Sequence, residues 1–216
     1  FLARAAAELG RSLPAAAAGP VWSVTSFAGT GDRVLPGLLV LDEERGWLQQ
    51  PVDSAWGPAG GTRRRGLAEL AAGRAFGLRL RGRGSAAPFL EASLTAYLAR
   101  RILADLGHAD EAEALLAAWR AHDQAAGELP APLSLLPRED LFGAQRLLGR
   151  GPLVWLAIER RAGRDRLDAV LNGFLKAGGF WTTEELRRAL EERTGESWEA
   201  FFRDHVYGRR PPPAGD

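Results

Sequence analysis

The chain has 216 residues, 46% of them apolar, with 28 Lys and Arg against 27 Asp and Glu and a formal net charge of +1. That balance excludes an intrinsically disordered chain and leaves no electrostatic footprint for nucleic acid. There is no Cys, which excludes disulfides and thiolate metal sites, and no apolar run approaches the roughly twenty residues of a membrane-spanning helix.

The basic residues are almost all Arg, Lys176 being the sole Lys, and with abundant Ala and Gly this suggests a GC-rich bacterial genome more than a binding surface. No Met is present, and Phe1-Leu2-Ala3-Arg4 already lies inside a helical pattern, so an upstream part is expected. A signal peptide, an anchor or a further domain would lie there, and any membrane-associated or extracytoplasmic placement would depend on it.

Phe1, Leu2, Ala5, Ala6, Leu9 and Leu13 recur at helical spacing. Val21–Phe27 alternates and is rich in β-branched and aromatic residues, so it is a strand. Ala28–Asp32 is a loop, and Leu38–Leu41 is a short strand apolar on both faces. Asp42–Gly61, with Trp47, Pro51, Trp56 and Pro58, is an irregular connection. Thr62 is placed to cap a helix that opens with Arg63-Arg64-Arg65, a charge run expected on a solvated face. Leu78–Ala87 alternates Leu with Arg and then turns flexible; with no interleaved aromatic it does not support nucleic-acid binding.

Phe89–Leu106 is a helix with Leu90, Leu94, Tyr97, Leu98, Ile102 and Leu106 on one face and Gly107 as its stop. Asp110 is placed to cap a helix from Glu111 to His122. Ala125–Pro137 is loop-like. Gly149–Gly151 is expected to start, with close packing, an apolar helix through Trp155, and a further helix ends at Leu175. Thr182 and Glu185 form a capping-box pattern for the next. Arg209–Pro213 opens a Pro-rich tail expected to be disordered or a linker. His108, His122 and His205 never fall four residues apart, and each is expected to be structural.

Several of these blocks, in order, resemble the gluzincin zinc aminopeptidases of the membrane alanyl aminopeptidase and leukotriene hydrolase type. Leu67-Ala68-Glu69-Leu70-Ala71-Ala72, with Phe76-Gly77, is similar to H-E-L-A-H-Q-W-F-G. Phe89–Leu98 is similar to W-L-N-E-G-F-A-T-Y-L. Gly31–Leu38 is similar to a G-A-M-E-N loop followed by P-G-L, and Leu148–Gly151 to Y-x-K-G. The ending keeps a T-T-E-x-L, F-F and V-Y-G order at Thr182–Leu186, Phe201-Phe202 and Val206–Gly208. In that family both His of H-E-x-x-H reach one zinc from one helix face, and the adjacent Glu is the general base for the metal-bound water. A third ligand, a Glu, lies about nineteen residues past the second His. The Glu of the G-A-M-E-N loop grips the substrate's amino terminus, and the Tyr of Y-x-K-G bonds the oxyanion.

Carried onto this chain, Glu69 stands at the general base, but Ala68 and Ala72 stand at the two His. Val34 takes the place of the amino-terminus-binding Glu and Leu148 that of the oxyanion Tyr. Matched without gaps, Ala92 falls at the third ligand and Glu91 beside it; counted by spacing from Ala72, Glu91 falls at the ligand. The resemblance, from Leu9 to Tyr207, implies an α+β, mostly α, thermolysin-like peptidase domain over 1–208. A small mixed sheet would be followed by a helical lobe, with 209–216 as tail or linker. It implies a catalytically inactive domain, with no zinc or other cofactor, acting as a binding or scaffold module whose vestigial cleft would take a peptide or protein partner. The competing reading is an active hydrolase that uses Glu69 and Glu91 as a carboxylate pair without zinc.

Overall fold

The computed structural model describes residues 2–14, 23–27, 33–35, 38–42, 51–52, 61–76, 79–136 and 141–213. Helix α1 (Leu2–Ser12) buries Ala5 and Leu9, followed by Leu13 just beyond its end, and packs on the helices that follow. Strands β1 (Ser23–Phe27), β2 (Arg33–Leu35) and β3 (Leu38–Asp42) form a sheet in the order β1-β3-β2. β1 runs parallel to β3, with Ser23 opposite Leu38, and β2 runs antiparallel to it, with Val34 opposite Leu39. The sheet is therefore small and mixed, as expected, but Val34 lies in a strand and not in a loop. The two residues between β2 and β3 are Pro36-Gly37, a sequence suited to reversing the chain. Short strands β4 (Pro51–Val52) and β5 (Gly61–Thr62) pair antiparallel; most of the Asp42–Gly61 connection, with Trp47 and Trp56, lies outside the described residues.

Helix α2 (Arg63–Ala75) follows β5 directly and is built largely of Ala, Gly and Arg. Its buried face is Leu67, Ala68, Ala71, Ala72 and Ala75. Small side chains let it lie close to the next helix, and a Cβ added at Gly73 would stand 3.8 Å from Thr95 Cγ2. The expected solvated Arg run is corrected here. Arg65 is buried and its Nε donates to Glu69 Oε1 at 2.8 Å, while Arg64 pairs with Glu111. A helix whose apolar face is mostly alanine is anchored at its first turn by ion pairs to its own chain.

Strand β6 (Leu80–Gly82) occupies the Leu/Arg alternation. Phe89–Ser93 then forms a π-helical turn that runs into α3 (Leu94–Asp105). Helix α4 (Ala109–Ala126) starts one residue before Asp110. His108 holds the cap position, without a side-chain capping bond, and the helix outlasts His122 by a full turn. Within Ala125–Pro137 there is a 3₁₀ turn, Leu133–Leu135.

Helix α5 (Leu141–Ala162) overturns another expectation, because Gly149–Gly151 lies in its interior and Pro152 follows within the same helix. The reason is crowding. A Cβ at Gly149 would sit 3.0 Å from His122 Cβ, and one at Gly151 would overlap Ser93 Oγ, so only glycine lets α5 cross α4 and the π turn this closely. Ser93 Oγ fastens that crossing by donating to Leu147 O at 3.2 Å.

Helix α6 (Arg164–Ala177), strand β7 (Gly179–Trp181), α7 (Thr183–Thr194) and α8 (Glu199–His205) complete the lobe. β7 pairs parallel with β6, Arg81 opposite Phe180. The capping box at Thr182 and Glu185 is present in both directions, and Gly195 closes α7 in the left-handed region at φ 73°. Thr182→Ala is expected to cost about 1 kcal/mol; a shift of the urea midpoint without a change of slope would measure it. No helix among the described residues is long and apolar enough to cross a membrane.

Candidate functional site

The two elements expected to carry a zinc core, α2 and the segment from Phe89 to Leu98, are packed neighbours. On α2, Ala68 and Ala72 lie one turn apart on one face, as the family's imidazoles would. Both are 0% exposed, their methyl groups inside the hydrophobic core. Glu69 is on another side of the helix, about one third exposed (33%), and held by Arg65. Glu91 lies on the π turn, where its Oε1 accepts the Gly82 N–H at 2.9 Å, so this carboxylate secures β6. Ala92 packs, partly buried, against the core. The ambiguity between Glu91 and Ala92 therefore lies between a carboxylate engaged by backbone and a methyl group.

Leu148 is half-buried on α5 against the core and offers no donor to an oxyanion. Val34 lies in β2, and its side chain falls outside the described residues. Zinc needs imidazole, thiolate or carboxylate donors, usually three or more from the protein. The matched positions supply two buried methyls and at most one carboxylate, so these residues do not fit the ion. Among the described residues no three of His, Asp and Glu are grouped to hold a metal. His108 caps the start of α4, His122 lies a turn before the end of that helix, and His205 ends α8 with its Nδ1 3.1 Å from Arg210 O.

Sequence reasoning missed two buried ionic clusters. The first crosses α3, α5 and α6. Arg101 Nη1 and Nη2 donate to Asp168 Oδ1 and Oδ2 at 2.7 and 2.8 Å, Nη1 also reaches Tyr97 Oη at 3.4 Å, and Tyr97 donates to Glu159. Burial, reinforced by the Glu159 charge, pushes the Tyr97 phenol well above its ordinary value. Burial, the largest single influence, works against the charged Arg101, but the Asp168 hydrogen bonds together with the fields of Tyr97, Asp168 and Glu159 outweigh it and hold the guanidinium above its ordinary value. A signal was present, because Arg101 falls among Tyr97, Leu98 and Ile102 on the apolar face of α3.

The second cluster is centred on Arg150, buried within α5. Its Nε contacts Asp123 at 2.5 Å, Nη1 donates to Arg209 O at 2.6 Å and Nη2 to Gly127 O at 3.1 Å. Arg210 N–H donates to Asp204 O at 3.1 Å. The start of the Pro-rich tail is thus tied to α5 through Arg209 O and to α8 through the Arg210 N–H. A pocket of about 480 Å³ opens beside that tail, lined by Ala157, Arg160, Phe201, Asp204, His205 and Pro213 among others, and shares no residue with α2 or the π turn.

No protein-family model matches the chain, and no curated protein matches it. Solved structures do. The M1 zinc metallopeptidase from Deinococcus radiodurans superposes with a TM-score of 0.72 at 20% identity, over 98% of this chain and 45% of that one. A Glu-to-Ala mutant of a Deinococcus radiodurans M1 zinc metallopeptidase gives 0.73 at 19% identity, over 98% and 46%. A mutant bound to a Tyr-Ser-Ala substrate gives 0.69 at 21% identity, over 97% and 46%. This chain has the fold of part of an M1 metallopeptidase, and it spans less than half the length of those proteins.

Proposed function

We propose that the chain is a peptidase-like domain that has lost its zinc chemistry and works as a binding or scaffold module, with the vestigial cleft between sheet and helical lobe taking a peptide or a protein segment. The observation that carries this reading is the burial of Ala68 and Ala72. The face of α2 that would carry two imidazoles is instead packed as core. Three further positions agree with it, namely Leu148 without a donor, Glu69 bound to Arg65 and Glu91 bound to Gly82. A general base with no activated water beside it has nothing to deprotonate at neutral pH. The mostly helical, thermolysin-like lobe would then persist for its shape.

The expected result is that purified protein, dialysed against trace zinc, carries well under one zinc per chain and hydrolyses no amino-acid anilide above background. Glu69→Gln is expected to leave both readings unchanged. One zinc per chain, or a turnover abolished by Glu69→Gln, would overturn the reading.

A further inference from the structure

The Leu/Arg alternation of Leu78–Ala87 has no aromatic among its arginines, yet the fold brings one to it. In the parallel β6–β7 ribbon, Phe180 lies opposite Arg81, and residues paired in this way share a face of the sheet. Leu80 and Trp181 turn inward and are buried. Phe180 is 63% exposed, more than any other large apolar side chain among the described residues. Arg83 prolongs the ladder, its N–H donating to Trp181 O at 2.8 Å, so the alternation puts it on the side of Arg81; both are exposed, and among the described residues neither side chain has an anionic partner. From Leu70 to Leu90 the chain carries Arg74, Arg79, Arg81 and Arg83 and no acid; from Ala169 to Thr183 it carries Lys176 and no acid. The flanking acids are committed elsewhere: Glu91 to Gly82, Glu184 to Arg187 and Arg188, Glu185 to Thr182.

We propose that the Arg81–Arg83–Phe180 face docks an acidic segment of a partner polypeptide, a run of Asp and Glu that also carries an apolar side chain. Guanidinium forks match carboxylates in two-point hydrogen bonds. An exposed phenyl ring beside them gives the apolar side chain a surface to cover. A single-stranded nucleic acid is less well served, since it stacks successive bases on several aromatics and needs many phosphate contacts, while this chain carries a net charge of only +1. A bilayer is less well served too, because a single Phe on a three-residue strand buries little apolar area in a membrane. The proposal does not depend on whether the domain holds zinc.

Fluorescence anisotropy with a fluorescein-labelled Asp/Glu-rich peptide carrying one Leu tests it. Binding in the micromolar range is expected, weakening as salt rises. R81E/R83E is expected to weaken it about tenfold or more and Phe180→Ala about fivefold. All three side chains are exposed, so the urea midpoints of these variants should match the parent protein and separate lost binding from lost folding. No binding of the peptide overturns the proposal, as does binding indifferent to these substitutions. So does tighter binding of oligothymidylate, or of phosphatidylserine vesicles, that the same substitutions abolish.

Discussion

Trp155→Ala is expected to destabilise the domain by about 4 kcal/mol, the middle of the range for a fully buried Trp. Trp155 is the meeting point of the lobe. Its ring stacks on Phe89 at 5.5 Å and 13°, lies 6.4 Å from Tyr97 and 6.3 Å from Trp181, and Trp181 in turn packs on Phe174 and Phe76. These rings come from α2, the π turn, α3, α5, α6 and β7, or from the residues adjoining them. Truncation leaves a cavity that no single neighbour can fill, because each is fixed by its own helix or strand, and dispersion contacts are lost on several sides at once. Trp155→Phe should lose roughly half as much, since it keeps an aromatic face for Phe89. Urea unfolding followed by fluorescence and by far-ultraviolet circular dichroism measures both variants; coincident transitions license the comparison. A change for Trp155→Ala below about 1.5 kcal/mol would mean that this ring cluster is not the centre of the core.

Asp168→Ala is expected to cost about 3 kcal/mol, through what it leaves behind. Arg101 is buried to 5% exposure and is held by a two-point bond to Asp168. Without the carboxylate, a guanidinium stays in the core with only Tyr97 and, beyond it, Glu159 to turn to, which places the figure at the low end for a broken buried pair. The double replacement Arg101→Met with Asp168→Leu should recover most of the loss, because it removes both charges and keeps the volume. If the double variant is as unstable as Asp168→Ala, the cost lies in packing and not in the orphaned charge.

The parts of the fold that depend on neighbours along the chain were visible beforehand. The apolar spacing of α1 and α3 marked their buried faces, and the Thr182–Glu185 box marked the start of α7. Glycine was read well where it ends a helix, at Gly107, since the left-handed turn there is a local requirement. At Gly149–Gly151 the close packing was anticipated but the helix start was not right, since the segment lies inside α5. Nothing nearby in sequence says that His122 and Ser93 will press against those positions. Arg65 was misjudged although its partner Glu69 lies one turn on in the same helix, because the pattern does not tell that this turn is buried. The clusters of Arg101 and Arg150 were missed because Asp168, Asp123 and the carbonyls of Gly127 and Arg209 come to them from 23 to 67 residues away.

At the candidate site the division is equally sharp. The amino-acid sequence by itself determined which groups stand at the matched positions, because the absence of imidazole at 68 and 72 and of a hydroxyl at 148 is a matter of composition. It also determined the order of sheet and helices, since hydrophobic period and turn chemistry are local. Only the tertiary structure decided that Ala68 and Ala72 face core, that Glu91 serves the Gly82 amide, and that Phe180 comes to lie beside Arg81 almost a hundred residues away. Burial and pairing are properties of the packed chain, and no pattern of neighbouring residues encodes the partner that a distant strand will supply.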